Sequence, residues 1–320
     1  MGKIAIVTDS TADMPLSYYA ENDITMVPLT VRIGNEEYKD WVEMAPNKFF
    51  KMLLNSQGQL PKTSQPSVQE FIEAYEKHKD CDHIISVHIS SKLSGTYQSA
   101  LVASKSVSIP VTVIDTKLAS IGIAAVLRKL VEARNEGKSV DEMICLAEAV
   151  IRKIRIAFYV DTLKYLELGG RIGKASALIG SILNIKPILT LENGIVAPLK
   201  KVKGRKRVNK EIISYIKETS GRKELEIGMA HANAPEALEK LESALKEAGI
   251  KFNTFLKSEF GSVIGTYVGP GAFAIMFYPS DLKLDESRLH KACNEDKVID
   301  VEEDEDEDEE YPRVVLDESG

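Results

Sequence analysis

Ser90-Ser91-Lys92-Leu93-Ser94-Gly95-Thr96-Tyr97-Gln98 is the stretch on which the fold turns. It follows Ile84-Ile85-Ser86-Val87-His88-Ile89, an apolar, β-branched run short enough to be a buried strand. It precedes Ser99-Ala100-Leu101-Val102-Ala103-Ser104, which reads as helix. A hydroxyl-rich turn with one glycine between a strand and a helix offers backbone N–H and side-chain O–H groups to an anion. The same composition also serves a solvated turn whose serines cap the next helix.

Working outward, strand and helix signals alternate through the first half. Ile4 to Thr8 reads as a strand, followed by Asp9-Ser10-Thr11 and a short helix after Pro15. Ile24 to Ile33 reads as one extended run into a turn at Gly34-Asn35. A helix from about Pro46 to Leu54 follows, then Pro61 to Ser67, with Ser67 capping a helix to His78. Val111 to Ile114 is a strand ending in Asp115-Thr116. Helices are expected over about Ala119–Glu136 and, from the capping box Ser139-Val140-Asp141-Glu142, to about Lys153. This alternation predicts an α/β fold whose first domain, residues 1–155, is a Rossmann-like, three-layer unit with a parallel sheet.

From Ile156 the rhythm changes. The glycine-rich segment Leu163 to Gly173, a short apolar helix around Ala175–Leu183 and the hairpin signal Asn193-Gly194 precede two more helix–strand alternations and Gly269-Pro270-Gly271. Hairpins mixed with crossovers predict a second α/β domain with a mixed sheet over 156–281. Residues 282–320 form an acidic tail, with Glu302 to Glu310 unbroken. Self-repulsion and lack of apolar residues predict that it is disordered.

The net charge of −7 is a property of that tail. Residues 281–320 hold 17 acids against 5 bases, leaving 31 acids and 36 bases for the rest, a mildly basic body. No apolar run approaches the roughly 20 residues of a membrane span, so no stable membrane insertion is expected. Met1 leads straight into a strand-like run without a signal-peptide pattern. Cys81, Cys145 and Cys293 are odd in number and lack metal-ligand spacing. A cytoplasmic protein, monomeric by default, is expected.

Hydroxyl and acid residues recur where first-domain strands end: Thr8-Asp9-Ser10, Thr63-Ser64, Ser90-Ser91 with Ser94, and Asp115-Thr116. In open parallel sheets that edge is the ligand crevice. Other motifs fail. Gly169 to Lys174 lacks the spacing of a phosphate loop, and Ala175 stands where it needs Ser or Thr. Gly269-Pro270-Gly271 precedes a strand, not a helix. Lys92 takes the first glycine position of a nucleophile elbow around Ser94. None of His78, His83, His88, His231 and His290 shows zinc spacing, so no metal is expected. The basic stretch Lys200 to Arg207 suits a solvated loop or an anion or acidic partner. No aromatic platform accompanies it, so nucleic acid is not an expected partner.

Six blocks occur in a fixed order: Thr8-Asp9-Ser10-Thr11, Thr63-Ser64-Gln65-Pro66-Ser67, Ser90 to Tyr97, Leu163 to Leu166 with Gly169-Gly170-Arg171-Ile172, Lys186-Pro187-Ile188-Leu189, and Gly269-Pro270-Gly271-Ala272. Together they resemble the DegV family of bacterial fatty-acid-binding proteins over about residues 3–280. The resemblance implies two α/β domains with a long-chain fatty acid, such as a C16–C18 acid, buried between them and no cofactor. It implies that Thr63 and Ser94 hold the carboxylate, and the N–H of Gly95 at a helix start would add a donor. Leu178, Ile179, Ile182 and Leu183 are candidates for tunnel lining or plain core. Family members commonly carry a histidine two residues before the G-P-G turn. Tyr267 stands there, a hydrogen-bond donor without positive charge near neutral pH. Some relatives present the fatty acid to a separate kinase, and Arg171 and Arg205 correspond to arginines placed to meet that partner or a phosphate.

Three functions follow. The first is a non-catalytic carrier for lipid transport or delivery to fatty acid metabolism, with an acyl kinase as a possible partner. The second is an enzyme acting on a small carboxylated or phosphorylated substrate through Asp9 and Asp115. The third is a regulator working through the basic loop and acidic tail.

Overall fold

In the computed structural model, residues 2–56, 60–180, 185–221, 223–282 and 298–299 are described. Along the chain they form β1 (Ile4–Asp9), α1 (Leu16–Glu21), β2 (Ile24–Val27), β3 (Thr30–Ile33), β4 (Glu36–Lys39), α2 (Pro46–Asn55), β5 (Lys62–Ser64), α3 (Val68–Glu76), β6 (His83–His88), α4 (Thr96–Ser104) and β7 (Val111–Asp115). Then come α5 (Ile121–Asn135), α6 (Val140–Lys153), β8 (Arg155–Tyr159), α7 (Lys164–Leu168), β9 (Ile185–Glu192), β10 (Ile195–Lys203) and α8 (Val208–Ser220). The last elements are β11 (Leu225–His231), α9 (Pro235–Glu247), β12 (Phe252–Glu259), α10 (Ser262–Val268), β13 (Phe273–Pro279) and β14 (Val298–Ile299).

The strands sort into a parallel sheet of order β14-β7-β6-β1-β2, a mixed sheet of order β10-β9-β8-β13-β11-β12, and a small antiparallel sheet β4-β3-β5. In the mixed sheet only β11 and β12 run parallel. The fold is therefore two-domain α/β, one part built on a parallel sheet and the other on a mixed one.

Alternation along each strand explains the layering, because successive side chains leave opposite faces. In the parallel sheet Val7, Ile84 and Val113 pack with Phe71 and Tyr75 of α3 and Tyr97 and Ala100 of α4. Their neighbours Ile6, Ile85 and Ile114 enter a second core with α5 and α6. Ile156, Phe158, Ala274 and Met276 of the mixed sheet join that same core from the other side. The opposite face of the mixed sheet, including Tyr159, Ile227 and Ile275, packs on α8 and α9. Helices α5 and α6 thus lie between the two sheets. That is why α5 buries ten of its fifteen residues, more than one apolar stripe would need.

Both capping boxes are formed. Ser67 and Glu70 exchange hydrogen bonds at the start of α3, and Ser139 and Glu142 do so at α6. The Asn193-Gly194 turn has both residues at positive φ, 49° and 78°, as a two-residue hairpin of this kind requires. Ile24–Ile33 is two strands instead of one. Pro28 has no N–H to continue the ladder, so β2 stays in the parallel sheet and β3 leaves for the small one. The helix expected around Ala175–Leu183 is a 3₁₀ turn over Gly173–Leu178 as far as described; Ile182 and Leu183 lie outside the described residues. Of the acidic tail, Leu282 and Val298–Ile299 are described. The latter pair adds a parallel edge strand beside β7. The run Glu302 to Glu310 lies outside the described residues.

Candidate functional site

A cavity of about 430 Å³ lies between the sheets, within the range of small-ligand sites. Its walls are mainly apolar and come from both halves of the chain. Ile89 and Ile121 face it from the parallel-sheet side, Ile156 and Phe158 from β8, and Val263 and Ile264 from α10. Polar groups converge among its lining: Thr63, Gln65, Ser94, Arg171 and Tyr267.

Each of these is positioned by a local feature. Thr63 is the middle residue of β5, opposite Val31 of β3. Its Oγ1 lies 2.5 Å from Tyr267 Oη on α10. Ser94 ends a turn built on Ser90, whose carbonyl accepts from the N–H groups of Leu93 at 2.9 Å and Ser94 at 3.1 Å. The Ser94 hydroxyl is 2.8 Å from Thr96 Oγ1. Gly95 follows as the cap of α4. A side chain there would meet Gln65 Oε1 at 2.2 Å, so glycine lets Gln65 lie against the turn and donate to Ser99 Oγ at 3.1 Å. Gly95 is thus in the wall behind the cavity, not among the residues facing it.

Arg171, expected as a partner or phosphate contact, is exposed. It lines the cavity, with its guanidinium carbon 5.1 Å from the centre of the Tyr267 ring. Nε donates to the Leu93 carbonyl at 3.1 Å and Nη1 to the Gly169 carbonyl at 2.8 Å. The Tyr267 ring lies so close to Gly169 that a Cβ there would come within 2.5 Å of it. Tyrosine at 267 brings no charge, but an arginine stacked on its ring does. Thr63, Tyr267, Arg171 and the Leu93–Ser94 turn therefore form one continuous line of contacts, with hydroxyls at its ends and a cation within it.

Arg205 is elsewhere. Its Nη1 pairs with Asp161 Oδ1 at 2.8 Å, and its guanidinium lies 4.7 Å from the Tyr159 ring centre and 5.8 Å from that of Phe273. Asp161 also accepts from Tyr159 Oη at 2.5 Å, and burial together with that carboxylate pushes the phenol up to about 12. Leu178 is core, Ile179 is 47% exposed, and neither lines the cavity.

The acids at the strand ends are engaged in holding the backbone. Asp9 accepts from Thr11 N, His88 Nδ1 and Ile89 N, each at 3.0 Å. Asp115 accepts from Ser91 N and Lys117 N, both at 3.1 Å, and pairs with Lys117 Nζ at 3.0 Å. Neither faces the cavity. Among the described residues no group of three or more His, Cys, Asp or Glu side chains could hold a metal ion, and no helix is long and apolar enough to cross a membrane.

Two buried acids that no motif marks secure the cavity wall. Asp40 Oδ1 accepts from Ser262 N at 2.8 Å and Ser262 Oγ at 2.7 Å, and its Oδ2 accepts from Ser10 Oγ at 2.7 Å. Asp13 accepts from Gly261 N at 2.8 Å and from Ser120 Oγ at 2.5 Å. Together they fix the start of α10, the helix that carries Tyr267. Burial raises both carboxyls, Asp40 to about 6 and Asp13 to about 8, the neighbouring Asp40 charge adding to the second. Asp13 stands at φ 53°, a left-handed conformation that aspartate tolerates better than most residues. That strain-tolerant conformation is the one local signal the pair offers.

A family model described as "Uncharacterised protein, DegV family" matches residues 3–280. The chain belongs to the DegV family. A DegV domain-containing protein of Caldanaerobacter subterraneus is 38% identical over 280 residues, covering 87% of this chain and 99% of that one. Among solved structures, the DegV family protein of Thermus thermophilus, described by its fatty acid binding, superposes with a TM-score of 0.82 at 35% identity, covering 87% of this chain and 99% of that one. The DegV of Bacillus subtilis, described as a fatty acid binding protein, gives 0.78 at 33% identity, with 88% and 100% covered. The DegV match ends at residue 280, so the acidic tail of this chain lies beyond it.

Proposed function

We propose that this DegV protein is a carrier that binds a long-chain fatty acid, of the C16–C18 class, in the cavity between its two sheets. The observation that carries the reading is the cavity itself: apolar walls, with hydroxyls and one guanidinium converging at Thr63, Ser94, Tyr267 and Arg171. A buried carboxylate needs several donors or it takes up a proton. Thr63 and Ser94 supply hydroxyls, and Tyr267 supplies a phenol. Arg171 supplies the charge. The alkyl chain gains about 0.8 kcal/mol for each methylene removed from water. The fatty-acid-binding relatives support the same ligand class.

The carrier reading assigns no catalytic residue and no cofactor, since Asp9 and Asp115 are both committed to backbone donors. The released acid would pass to fatty acid metabolism in the cytoplasm, with an acyl kinase as the acceptor that the family resemblance suggests. Arg205, paired with Asp161 outside the cavity, is exposed and open to such a contact.

The test is denaturing extraction of the purified protein and lipid analysis, followed by titration of the emptied protein with a fluorescent fatty acid. A long-chain acid in the extract, with affinity lowered about tenfold in Thr63→Ala and Ser94→Ala, is the expected result. No acid in the extract and no binding on addition would overturn the reading.

A further inference from the structure

Asp9, His88 and Ser86 form a row of acid, imidazole and hydroxyl inside the parallel sheet. His88 Nδ1 lies 3.0 Å from Asp9 Oδ2, and His88 Nε2 lies 2.7 Å from Ser86 Oγ. Ser86 and His88 are next-but-one neighbours on β6, so both side chains leave the sheet on the face covered by α3. There Ser86 meets Tyr75, and the His88 ring packs edge-on against Phe71 with centres 5.0 Å apart. Asp9, Ser86, His88 and Tyr75 are each wholly buried, and none of them lines the cavity. A hydrolase arranges the same three groups with the hydroxyl open to a substrate. Here the hydroxyl is covered by α3, and no substrate reaches it.

The hydrogen bonds fix where the protons sit. Tyr75 Oη is 2.9 Å from Ser86 Oγ and 3.4 Å from the Ala100 carbonyl, so it donates to the nearer oxygen. Among the described residues the partners of Ser86 Oγ are Tyr75 and His88. A buried hydroxyl proton without an acceptor is costly, so Ser86 gives its own to His88 Nε2. Nδ1 then carries the ring proton of a neutral imidazole and donates it to Asp9. On the same carboxylate, Oδ2 also accepts from Ile89 N at 3.0 Å, and Oδ1 accepts from Thr11 N at 3.0 Å and from the Thr11 hydroxyl.

Ile89 is the residue at which this row meets the cavity, because it belongs to the lining. The next residue, Ser90, anchors the headgroup turn. Its carbonyl accepts from Leu93 N and Ser94 N, and the Leu93 carbonyl accepts in turn from Arg171 Nε. We propose that Asp9 and His88 are positioning residues for the bound carboxylate: the Nδ1–H of a neutral His88 orients the Asp9 carboxylate, which holds the Ile89 N–H and so sets where the Ser94 hydroxyl and the Arg171 guanidinium meet the ligand. Without the His88 bond the carboxylate is free to turn about its own axis, and the backbone at Ile89 and Ser90 loses its fixed point. The positioning role rests on the carrier reading of the cavity; the proton arrangement does not.

The ring is read directly in the full chain labelled with nitrogen-15 histidine, by long-range proton–nitrogen correlation near neutral pH, the His88 signal being identified by its loss in His88→Asn. The expected result is the neutral form protonated at Nδ1. An Nε2–H tautomer or a doubly protonated ring would overturn the proposal. Binding is read by calorimetry with a long-chain fatty acid and with the fatty alcohol of the same chain length. An asparagine amide reaches the position of Nδ1 and a glutamine amide that of Nε2, so His88→Asn keeps the donor to Asp9 and His88→Gln loses it. His88→Gln should bind the acid about tenfold more weakly, His88→Asn within about threefold of the natural protein, and both should bind the alcohol within about threefold. Asp9→Asn serves in place of His88→Gln if the latter fails to fold. Equal losses for acid and alcohol, or equal affinities of the two histidine variants for the acid, would overturn the positioning role. If the natural protein binds neither ligand, the carrier reading fails and takes the positioning role with it, while the tautomer still decides the proton arrangement.

Discussion

Thr63 and Tyr267 are separated by 204 positions in the sequence, yet their hydroxyl oxygens lie 2.5 Å apart at the cavity. The bond joins the small antiparallel sheet to α10. Each hydroxyl can also serve a ligand: a carboxylate arriving there would take up donors that Thr63 and Tyr267 otherwise offer each other.

The pairing predicts distinct outcomes for two substitutions at 267. Tyr267→Phe removes one donor and leaves Thr63 without its partner, so fatty acid affinity should fall by several-fold to about tenfold. Tyr267→His introduces a group that titrates near pH 6.5. Its protonated form adds charge beside the carboxylate, so binding by this variant should tighten as pH falls from 8 to 6. The natural protein, measured alongside, supplies the reference profile. Titration calorimetry at three pH values reads both effects, and a flat profile for Tyr267→His would refute the placement of 267 at the headgroup.

Arg171 is held by the Leu93 and Gly169 carbonyls and stacked on Tyr267, a geometry that lysine cannot reproduce with a single ammonium. Arg171→Lys should therefore weaken binding of a fatty acid severalfold even though charge is kept, and Arg171→Met should weaken it about tenfold or more. Binding of the corresponding uncharged fatty alcohol should change little in either variant. Equal losses for acid and alcohol would show that Arg171 shapes the wall and does not meet the carboxylate.

Asp13 and Asp40 predict how stability varies with pH. Their folded values, about 8 and about 6, both lie above the ordinary 3.8. The folded protein consequently holds protons that the unfolded chain has released. Their contribution is present in full below about pH 4 and is lost as pH rises through 6 and then 8. The melting temperature should decline from pH 5 to pH 9. Asp13→Asn, which cannot ionise, should flatten the upper part of that decline. An unchanged slope in the variant would sink this assignment.

Gly169→Ala places a methyl group 2.5 Å from the Tyr267 ring and 3.0 Å from the Tyr165 carbonyl. The ring must move, because the carbonyl belongs to the backbone of α7. A loss of about 1–3 kcal/mol of stability is expected from overpacking of this kind, together with weaker ligand binding. Denaturant titration measures the first and fluorescence the second; a variant with unchanged stability would show that the ring can shift freely.

Much of this arrangement was legible in the residues. The parallel sheet was announced by short β-branched runs ending in hydroxyls, and Thr63 and Ser94 by their place in ordered blocks. The acids of the same strand ends are a less specific signal, because a buried strand terminus also needs acceptors for its own N–H groups, and Asp9 and Asp115 accept from such groups. Nothing in Gly169-Gly170-Arg171 reveals that the exposed Arg171 also stacks on an aromatic ring almost a hundred residues later. Asp13 and Asp40 were invisible for a related reason: each makes its bonds with Gly261 and Ser262, far along the chain. Local pattern carries elements and caps, whereas partners across the cavity exist only once both sheets have closed on α5.

The placement of α5 and α6 between the sheets has a consequence for biogenesis. These helices end at Asn135 and Lys153, before any strand of the mixed sheet has been synthesised. One side of α5, with partners such as Phe158, Ala274 and Met276 in the shared core, must wait for residues as late as 276. At a translation rate of about 5–20 residues per second, that leaves a sticky helical surface uncovered on the nascent chain for several seconds or more. The interval is a window for chaperone capture, and it makes the newly made protein more vulnerable than the finished one.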